Sequence, residues 1–187
     1  MSNPTVAVIT GASRRFGLLV CESLMSQYDV VIALSRSGSQ QLNALKERGL
    51  IIMPCDQSES SDVEDVIHQL RERFDRINLI VHNSSIFNKD PESWSEVGEH
   101  LEQHFSVHVT SVARLNFGLA SLLSDEQEPG LIVHMTDIFA ERPRAEFSLY
   151  CATKAALESL TKSLAVKWAP GIRVMSLQPG PVKFLPE

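Results

Sequence analysis

The chain has 187 residues, of which 43% are hydrophobic and 21% charged, and its formal net charge is −6. The length favours one domain with a core of useful size, the composition is that of an ordinary globular protein, and the acidic balance argues against a nucleic-acid surface. No apolar run reaches the ~20 residues of a membrane span, and the N-terminus lacks the basic and long apolar regions of a secretion signal.

Short apolar, β-branched runs alternate with amphipathic stretches along the chain. The runs predict strands, and they are apolar on both faces, as buried parallel strands are. The expected strands are 5–10, 30–34, 50–54, 78–82, 131–135 and 172–177, and the expected helices are 15–27, 39–48, 59–74, 95–124 and 149–169. This alternation predicts an α/β fold, a doubly wound parallel sheet of Rossmann type with helices on both faces in three layers.

Two features concern the limits of these elements. Ser58 and Ser60 are candidate N-caps for the third helix, and Pro170-Gly171 ends the fifth. The chain stops just past the sixth strand, whereas a domain of this class often runs to ~200–250 residues. We therefore expect a single domain over 1–187 that lacks its C-terminal segment, including a strand.

A glycine-containing turn joins the first strand to the first helix in "VITGASRRFG". Gly11 and Gly17 flank it, and the middle position of the usual glycine pattern carries Arg15. Such a turn presents backbone N–H groups and a helix N-terminus to an anion, which is how a dinucleotide pyrophosphate is held. The alternative interpretation is a tight turn without a ligand.

The second strand ends in "ALSRSGS". An NAD site usually has an acid here that accepts from the ribose 2′-hydroxyl, but this chain has Ser35, Arg36 and Ser37. A guanidinium and a hydroxyl suit a 2′-phosphate, and Arg14 can add a second cation. The pattern favours NADP over NAD, and the alternative is a solvated basic loop.

Tyr150 and Lys154 stand four residues apart in the last predicted helix, and Asp137 precedes them at the end of an apolar run. Residues at i and i+4 share one helix face. A tyrosine has a pKa near 10, and a cation such as Lys154 lowers that pKa, which favours proton donation at about pH 7. The alternative for this pair is a solvated helix face.

The motifs "TGASRRFG", "HNSS", Tyr150-x-x-x-Lys154 and "QPG" occur in an order that resembles the short-chain dehydrogenase/reductase family over nearly the whole chain. Three departures from the usual pattern are similar to the pteridine reductases. Arg15 replaces the central glycine, Asp137 stands where most members have a catalytic serine, and Phe87 follows the asparagine motif. The run around Asp137 and Tyr150 resembles most the bacterial dihydromonapterin reductases, which also reduce dihydrofolate.

The resemblance implies a role for each residue that matches a motif. Phe87 would stack on the pterin, Arg15 and Ser85 would reach its polar edge, and Arg36 with Ser37 would hold the 2′-phosphate. The catalytic residues would be Asp137, Tyr150 and Lys154, and the substrate-binding residues Arg15, Ser85, Phe87, Asp137 and Tyr150. The cofactor-binding residues would be Gly11, Ser13, Arg14, Arg15, Phe16, Gly17, Arg36, Ser37, Asp56, Asn83, Ser84, Lys154, Pro179 and Gly180.

Asp137 narrows the expected substrate. A carbonyl reducer needs a hydrogen-bond donor here for an oxygen that gains negative charge, and an ionised carboxylate cannot donate and repels that charge. A C=N bond suits it better, because its nitrogen must gain a proton and a nearby anion favours iminium character. The alternative is that Asp137 caps a helix or turn.

The long predicted helix 95–124 carries Thr110 and a stripe of three histidines. By our alignment Thr110 takes the place of the family's helix asparagine, which puts a proton-relay water in doubt. His100, His104 and His108 form a stripe at i, i+4 and i+8, but residues spread over two turns do not converge on one ion. We expect no metal, and a stripe on the surface or at a subunit interface.

The sequence thus predicts a cytoplasmic, NADPH-dependent reductase of a dihydropterin or dihydrofolate, with no nucleic-acid or membrane partner. The three scattered cysteines match no metal or disulfide spacing, which fits a reducing compartment. The resemblance implies a homotetramer paired through the two long helices. Two alternatives stay open: a reductase of another carbonyl or imine compound, and a catalytically weak NADPH-binding protein.

Overall fold

Six parallel strands form the centre of the computed structural model, which describes residues 3–180. They are β1 (Val6–Thr10), β2 (Val30–Ser35), β3 (Ile51–Pro54), β4 (Leu79–His82), β5 (Gly130–Met135) and β6 (Ile172–Leu177). Their order in the sheet is β3-β2-β1-β4-β5-β6, and every neighbouring pair is parallel. The predicted doubly wound α/β fold is confirmed.

The helices follow the predicted alternation, with ends that differ by a few residues. They are α1 (Arg15–Leu24), α2 (Gln40–Glu47), α3 (Ser60–Arg73), α4 (Val97–Phe105), α5 (Ser111–Leu123) and α6 (Ser148–Trp168). The predicted helix 95–124 is interrupted by a π-helical turn, Ser106–Thr110, between α4 and α5. Within residues 3–180, no helix has the length and apolar character needed to cross a membrane.

Two hydrophobic clusters cover the two faces of the sheet. On one face Val8 and Ile80 pack with residues of α3 and α5, such as Leu70 and Leu119. On the other face Ile9 packs with residues of α1 and α2. Because both faces are covered, the central strands are apolar throughout, as their sequences predict.

Two local predictions are wrong. Within residues 3–180, β6 is the outermost strand, and its side chains Met175 and Leu177 are 48% and 47% exposed, so this strand is not buried on both faces there. Neither Ser58 nor Ser60 caps α3, because the N-cap position is Glu59 and no side chain bonds there. Ser58 instead donates through its backbone N–H and its hydroxyl to Asp56.

A chain of buried polar side chains crosses the space between β4, β5, α5 and α6. The Thr161 hydroxyl donates to the Leu157 carbonyl (2.7 Å), so its oxygen accepts from His134 Nδ1 (2.8 Å). His134 Nε2 therefore accepts from the Asn116 amide (2.9 Å), and Asn116 Oδ1 accepts from His82 Nε2 (2.7 Å). These contacts fix His134 as a neutral ring. His82 uses only Nε2, and burial lowers its pKa to about 4, which keeps this ring neutral at about pH 7.

Candidate active site

The candidate cofactor cleft lies at the carboxyl ends of the strands, where the order reverses between β1 and β4. Ligands of open α/β sheets bind at such a switch point. The cleft has a volume of about 560 Å³. The predicted cofactor residues that line it are Gly11, Ser13, Arg14, Arg15, Phe16, Gly17, Arg36, Ser37, Asp56, Asn83 and Ser84. Sequence reasoning missed several other lining residues: Gly38, Ser39, Gln41, Cys55, Gln57, Ile86 and Val107.

The turn between β1 and α1 leaves no room for side chains at its two glycines. Gly11 has φ +64°, and a Cβ there would lie 2.7 Å from the Ser84 Cα. A Cβ at Gly17 would overlap the Gly11 carbonyl and lie 2.5 Å from the Asn83 amide nitrogen. The turn therefore offers bare backbone and the N-terminus of a ten-residue helix. These features fit a dinucleotide pyrophosphate.

Asn83 holds this turn against the end of β4. Its amide donates to the carbonyls of Thr10 (3.2 Å) and Gly11 (3.0 Å). The Thr10 hydroxyl accepts from the backbone N–H groups of Asn83 and Ser84. Asn83 was predicted to bind the cofactor, and it does line the cleft, but its amide donors serve the turn itself.

Arg15 adopts the left-handed conformation, with φ 51°, at the position where the usual pattern has glycine. Its side chain is exposed at the cleft and forms no ion pair within residues 3–180. This backbone conformation costs a non-glycine residue about 1 kcal/mol. An exposed cation held in a strained conformation points to a ligand contact rather than to a stabilising role.

Arg15→Gly is expected to raise the free energy of unfolding by up to about 1 kcal/mol, because glycine removes the strain. The same change is expected to weaken NADPH binding and substrate turnover, because the cation is lost. Denaturant unfolding and NADPH titration measure the two effects separately. Arg15→Ala is the matched control, since it removes the charge and keeps the strain.

The second strand contributes the outer end of the cleft. Arg36 follows β2 with its side chain 71% exposed, and its guanidinium lies 3.6 Å from the Asp56 carboxylate. Ser39 links this loop to the first turn, because its hydroxyl donates to the Ser13 carbonyl (2.6 Å) and accepts from Leu42 N–H to cap α2. The chain therefore holds an exposed cation, paired with Asp56, and several hydroxyls where a 2′-phosphate was predicted.

The three predicted catalytic residues meet beside this cleft. The Tyr150 hydroxyl donates to Asp137 Oδ2 at 2.7 Å, and the other oxygen of Asp137 accepts from Phe139 N–H at 2.9 Å. Asp137 thus contacts the tyrosine and also caps the turn after β5, as the alternative interpretation expects. Lys154 is 2% exposed, and its ammonium donates to the Met135 carbonyl at 2.9 Å.

The prediction that Lys154 lowers the pKa of Tyr150 is wrong for this arrangement. Burial raises the pKa of Tyr150 well above its ordinary value, and the hydrogen bond to Asp137 and the charge of Asp137 raise it further, while the nearby Ser85 hydroxyl acts in the opposite direction. Burial also lowers the pKa of Lys154 to about 8. The tyrosine therefore holds its proton firmly beside a carboxylate.

Aromatic side chains line the side of Tyr150 that faces away from the core. Phe87 is 53% exposed, stacks on Phe147 with centroids 4.3 Å apart, and meets Tyr150 edge to face at 4.8 Å. Phe139 lies 6.4 Å from Phe87. The predicted stacking residue therefore stands next to Tyr150, and Phe139 and Phe147, which sequence reasoning missed, enlarge the apolar surface for a flat ring.

The histidine stripe was predicted to lie on the surface or at an interface, and this prediction is wrong. His104 and His108 are 0% and 1% exposed. The π-helical segment Ser106–Thr110 has one more residue per turn than an α-helix would, so His108 points towards α6 and lies 5.5 Å from the Tyr150 ring. Thr110, which we aligned with the helix asparagine, is exposed. His108 is therefore the polar residue that this helix presents to the site.

The start of α6, which carries Tyr150, is held by a distant carboxylate that sequence reasoning also missed. Asp90 accepts from the backbone N–H groups of Ser148 (2.9 Å) and Leu149 (3.1 Å) and from the Ser148 hydroxyl. Pro179 follows β6, and its carbonyl accepts from Ile138 N–H next to Asp137. Gly180 is the last described residue and is exposed.

Comparisons with known proteins agree with this fold and identify the family. A family model described as short chain dehydrogenase matches residues 5–184. A dihydromonapterin reductase from Klebsiella pneumoniae subsp. pneumoniae is 29% identical over 184 residues, which are 97% of this chain and 75% of that protein. The 3-ketoacyl-(acyl-carrier-protein) reductase of Brucella melitensis, complexed with NADH, has a TM-score of 0.82 at 25% identity and covers 94% of this chain and 75% of its own. A short-chain dehydrogenase from Sphingobium yanoikuyae, in complex with NADPH, has the same TM-score and identity and covers 96% of this chain and 72% of its own.

Proposed function

The chain belongs to the short-chain dehydrogenase family, and on that premise we propose that it is an NADPH-dependent reductase of the C=N bond of a dihydropterin, dihydromonapterin or dihydrofolate. The family consists of oxidoreductases that act on small molecules with nicotinamide cofactors. The likeness to dihydromonapterin reductases that the sequence predicts is confirmed by relatives of that name. The substrate, the NADPH preference and the role of each residue are our proposals.

The observation that carries the proposal is the 2.7 Å hydrogen bond from Tyr150 to Asp137. A carboxylate beside the proton donor opposes negative charge on a nearby oxygen and therefore disfavours ketones. It favours a nitrogen heterocycle, because one ring nitrogen gains a proton and the N–H groups of the heterocycle can donate hydrogen bonds to the carboxylate. Phe87, half exposed beside Tyr150, offers a surface on which a flat heterocycle can stack.

The proposed roles of the residues follow from these contacts. The dinucleotide, when bound, supplies the hydride that adds to the carbon of the C=N bond. Tyr150 gives its proton to the nitrogen, which takes up the electron pair of the C=N π bond when the carbon gains the hydride. With that pair the nitrogen is a much stronger base than a phenolate, so it accepts the proton even from a phenol with a raised pKa. Asp137 orients the Tyr150 hydroxyl and accepts hydrogen bonds from N–H groups of the substrate. The buried Lys154 ammonium offsets the charge left on the tyrosine, which regains its proton from water.

The test is an assay of NADPH oxidation with dihydropterin, dihydromonapterin or dihydrofolate, with NADH in place of NADPH as control. We expect oxidation that depends on the dihydropterin head and is faster with NADPH. Turnover of ketones with no turnover of dihydropterins would instead support a carbonyl reductase. NADPH binding without turnover of any of these would support a binding protein.

Arg36 is proposed to hold the 2′-phosphate, with Ser37 beside it. Arg36→Ala is expected to raise the KM for NADPH about 10-fold, because one charge-assisted hydrogen bond is lost and Asp56 loses its counter-ion, and to leave the KM for NADH unchanged. Initial rates with each cofactor measure the effect. Arg48→Ala is the control, because Arg48 pairs with Glu22 outside the cleft. An equal change for both cofactors would contradict the role.

The proposal also includes a cytoplasmic homotetramer that serves tetrahydrofolate biosynthesis and one-carbon metabolism. Large apolar side chains stand exposed on the two long helices that would pair. Phe117 on α5 is 56% exposed, and Val166 on α6 is 83% exposed. Burial of such side chains between subunits would favour association.

A further inference from the structure

His108 lies beside Tyr150 but takes no part in the steps proposed above. Its imidazole is 1% exposed and is held at both nitrogens. A buried, fully bonded ring next to a proton donor has a fixed arrangement of protons, and that arrangement decides what its neighbours can donate or accept.

Two independent partners fix the same tautomer of His108. The Thr153 hydroxyl donates to the Tyr150 carbonyl (2.8 Å), so its oxygen accepts from His108 Nδ1 (2.8 Å), which must carry a proton. The backbone N–H of Ile86 is only a donor, so Nε2, at 3.1 Å, must be the unprotonated acceptor. Burial, together with the nearby Lys154 charge, lowers the pKa of His108 well below its ordinary value and keeps the ring neutral.

This tautomer directs the hydroxyl of Ser85. The Ser85 oxygen lies 3.0 Å from His108 Nε2, which can only accept, so the hydroxyl proton points to the imidazole. The other acceptor recorded for this proton, the Ile86 carbonyl, is farther away at 3.4 Å. Ser85 also lines the cofactor cleft and lies close enough to Tyr150 to influence its pKa. The lone pairs of Ser85 are therefore left for the pocket, because the single hydroxyl proton of Tyr150 is donated to Asp137.

We propose that His108 is a specificity-determining positioning residue that turns Ser85 into a hydrogen-bond acceptor. Ser85 and Asp137 then form a wall beside Tyr150 that accepts hydrogen bonds and donates none. Such a wall selects the N–H groups of an amino-substituted nitrogen heterocycle and rejects a carbonyl oxygen, which would face lone pairs only. The substrate class rests on the proposed function, whereas the tautomer does not.

The first experiment measures the tautomer in the wild-type protein without cofactor or substrate. Long-range ¹H–¹⁵N NMR correlations of His108, assigned by their loss in His108→Gln, distinguish a protonated from an unprotonated ring nitrogen. We expect protonated Nδ1 and unprotonated Nε2 at about pH 7. Protonation at Nε2 would overturn the inference, because Ser85 could then accept from the ring and donate to the pocket.

The second experiment measures kcat/KM for dihydropterin and for a small ketone in matched variants. His108→Leu is expected to lower the dihydropterin value about 10-fold and to reduce the preference for dihydropterin over ketone, since the freed Ser85 proton can donate to an oxygen. His108→Gln is expected to restore most of both, because its amide oxygen can reach the position of Nε2. His100→Leu, two helical turns away, is the control and should change neither.

A Ser85→Ala background separates positioning from a general structural role. If His108 acts through Ser85, His108→Leu has no further effect on the preference when Ser85 is absent. Equal losses in both backgrounds, or an unchanged preference in His108→Leu, would overturn the inference. If the wild-type protein reduces ketones and no dihydropterin, the proposed function and the acceptor wall both fail, while the NMR result still decides the tautomer. If it reduces neither, the proposed function fails, and the acceptor wall is then tested by binding instead. Binding of a 2-aminopteridine in the absence of NADPH should be weaker in His108→Leu than in the wild type and close to wild type in His108→Gln, and equal binding in all three would overturn the wall.

Discussion

Asp137→Asn is expected to lower kcat/KM for NADPH-dependent dihydropterin reduction about 100-fold, within the range that one proton-transfer group contributes. An asparagine is the same size and its amide oxygen can still accept from Phe139 N–H, so the turn after β5 keeps its cap. Its amide group, however, donates to the Tyr150 oxygen, where the carboxylate accepts from the Tyr150 hydroxyl at 2.7 Å. The direction of this hydrogen bond is reversed, and the negative charge is lost.

The same substitution is expected to produce ketone reduction. Without the carboxylate, the charge that opposes an oxyanion is gone, and the pKa of Tyr150 falls towards its ordinary value because one of the causes that raise it is removed. Asp137→Ser, which places a short hydroxyl donor at the same position, should behave alike. Steady-state rates with both substrate classes measure the switch, and unchanged thermal unfolding would show that the turn is intact. Full dihydropterin activity with no ketone activity would show that the roles are assigned wrongly.

The residues that could be predicted from the sequence are those fixed by local patterns. Gly11 and Gly17 are predicted by the strand–turn–helix context, and the structure shows that no side chain fits there. Tyr150 and Lys154 are predicted by helical spacing. Asp137 is predicted by its position at the end of a buried strand, because the carboxyl ends of neighbouring parallel strands meet at one edge of the sheet.

The residues that could not be predicted depend on contacts between distant segments or on irregular backbone. The role of Asp90 requires knowing that it reaches Ser148, which lies 58 residues further along the chain. His108 was misplaced because a spacing of four residues was read as an ordinary helix, whereas the π-helical turn changes which side chains face α6. The direction of the Tyr150 pKa shift was missed because burial and the nearest charge outweigh a lysine whose ammonium is bonded to Met135.

Mild acid is expected to destabilise the protein strongly through its buried neutral histidines. Burial lowers the pKa of His82 to about 4 and that of His134 to about 2, from an ordinary value of 6.5. Below pH 6.5 these two imidazoles bind protons in the unfolded chain but not in the folded protein. Their contribution to the free energy of unfolding is therefore fully present above pH 6.5 and is lost as the pH falls from 6.5 towards the pKa values of the folded protein. Each ring then costs about 2 kcal/mol at pH 5, a large share of a typical unfolding free energy of about 5–15 kcal/mol.

His82→Gln isolates one of these contributions, because the glutamine amide can donate to Asn116 Oδ1 as His82 Nε2 does but cannot titrate. Urea unfolding at pH 7 and pH 5 should show a loss of stability on acidification that is smaller by about 2 kcal/mol in the variant than in the wild-type protein. The exposed His68, replaced in the same way, should leave the loss unchanged. Carboxylates such as Asp90, whose pKa lies below the ordinary 3.8, lose their contribution only at lower pH and do not enter this window. An equal loss in the His82 variant and the wild type would mean that the buried ring accepts its proton without unfolding, and that the His82–Asn116–His134–Thr161 chain rearranges to hold it.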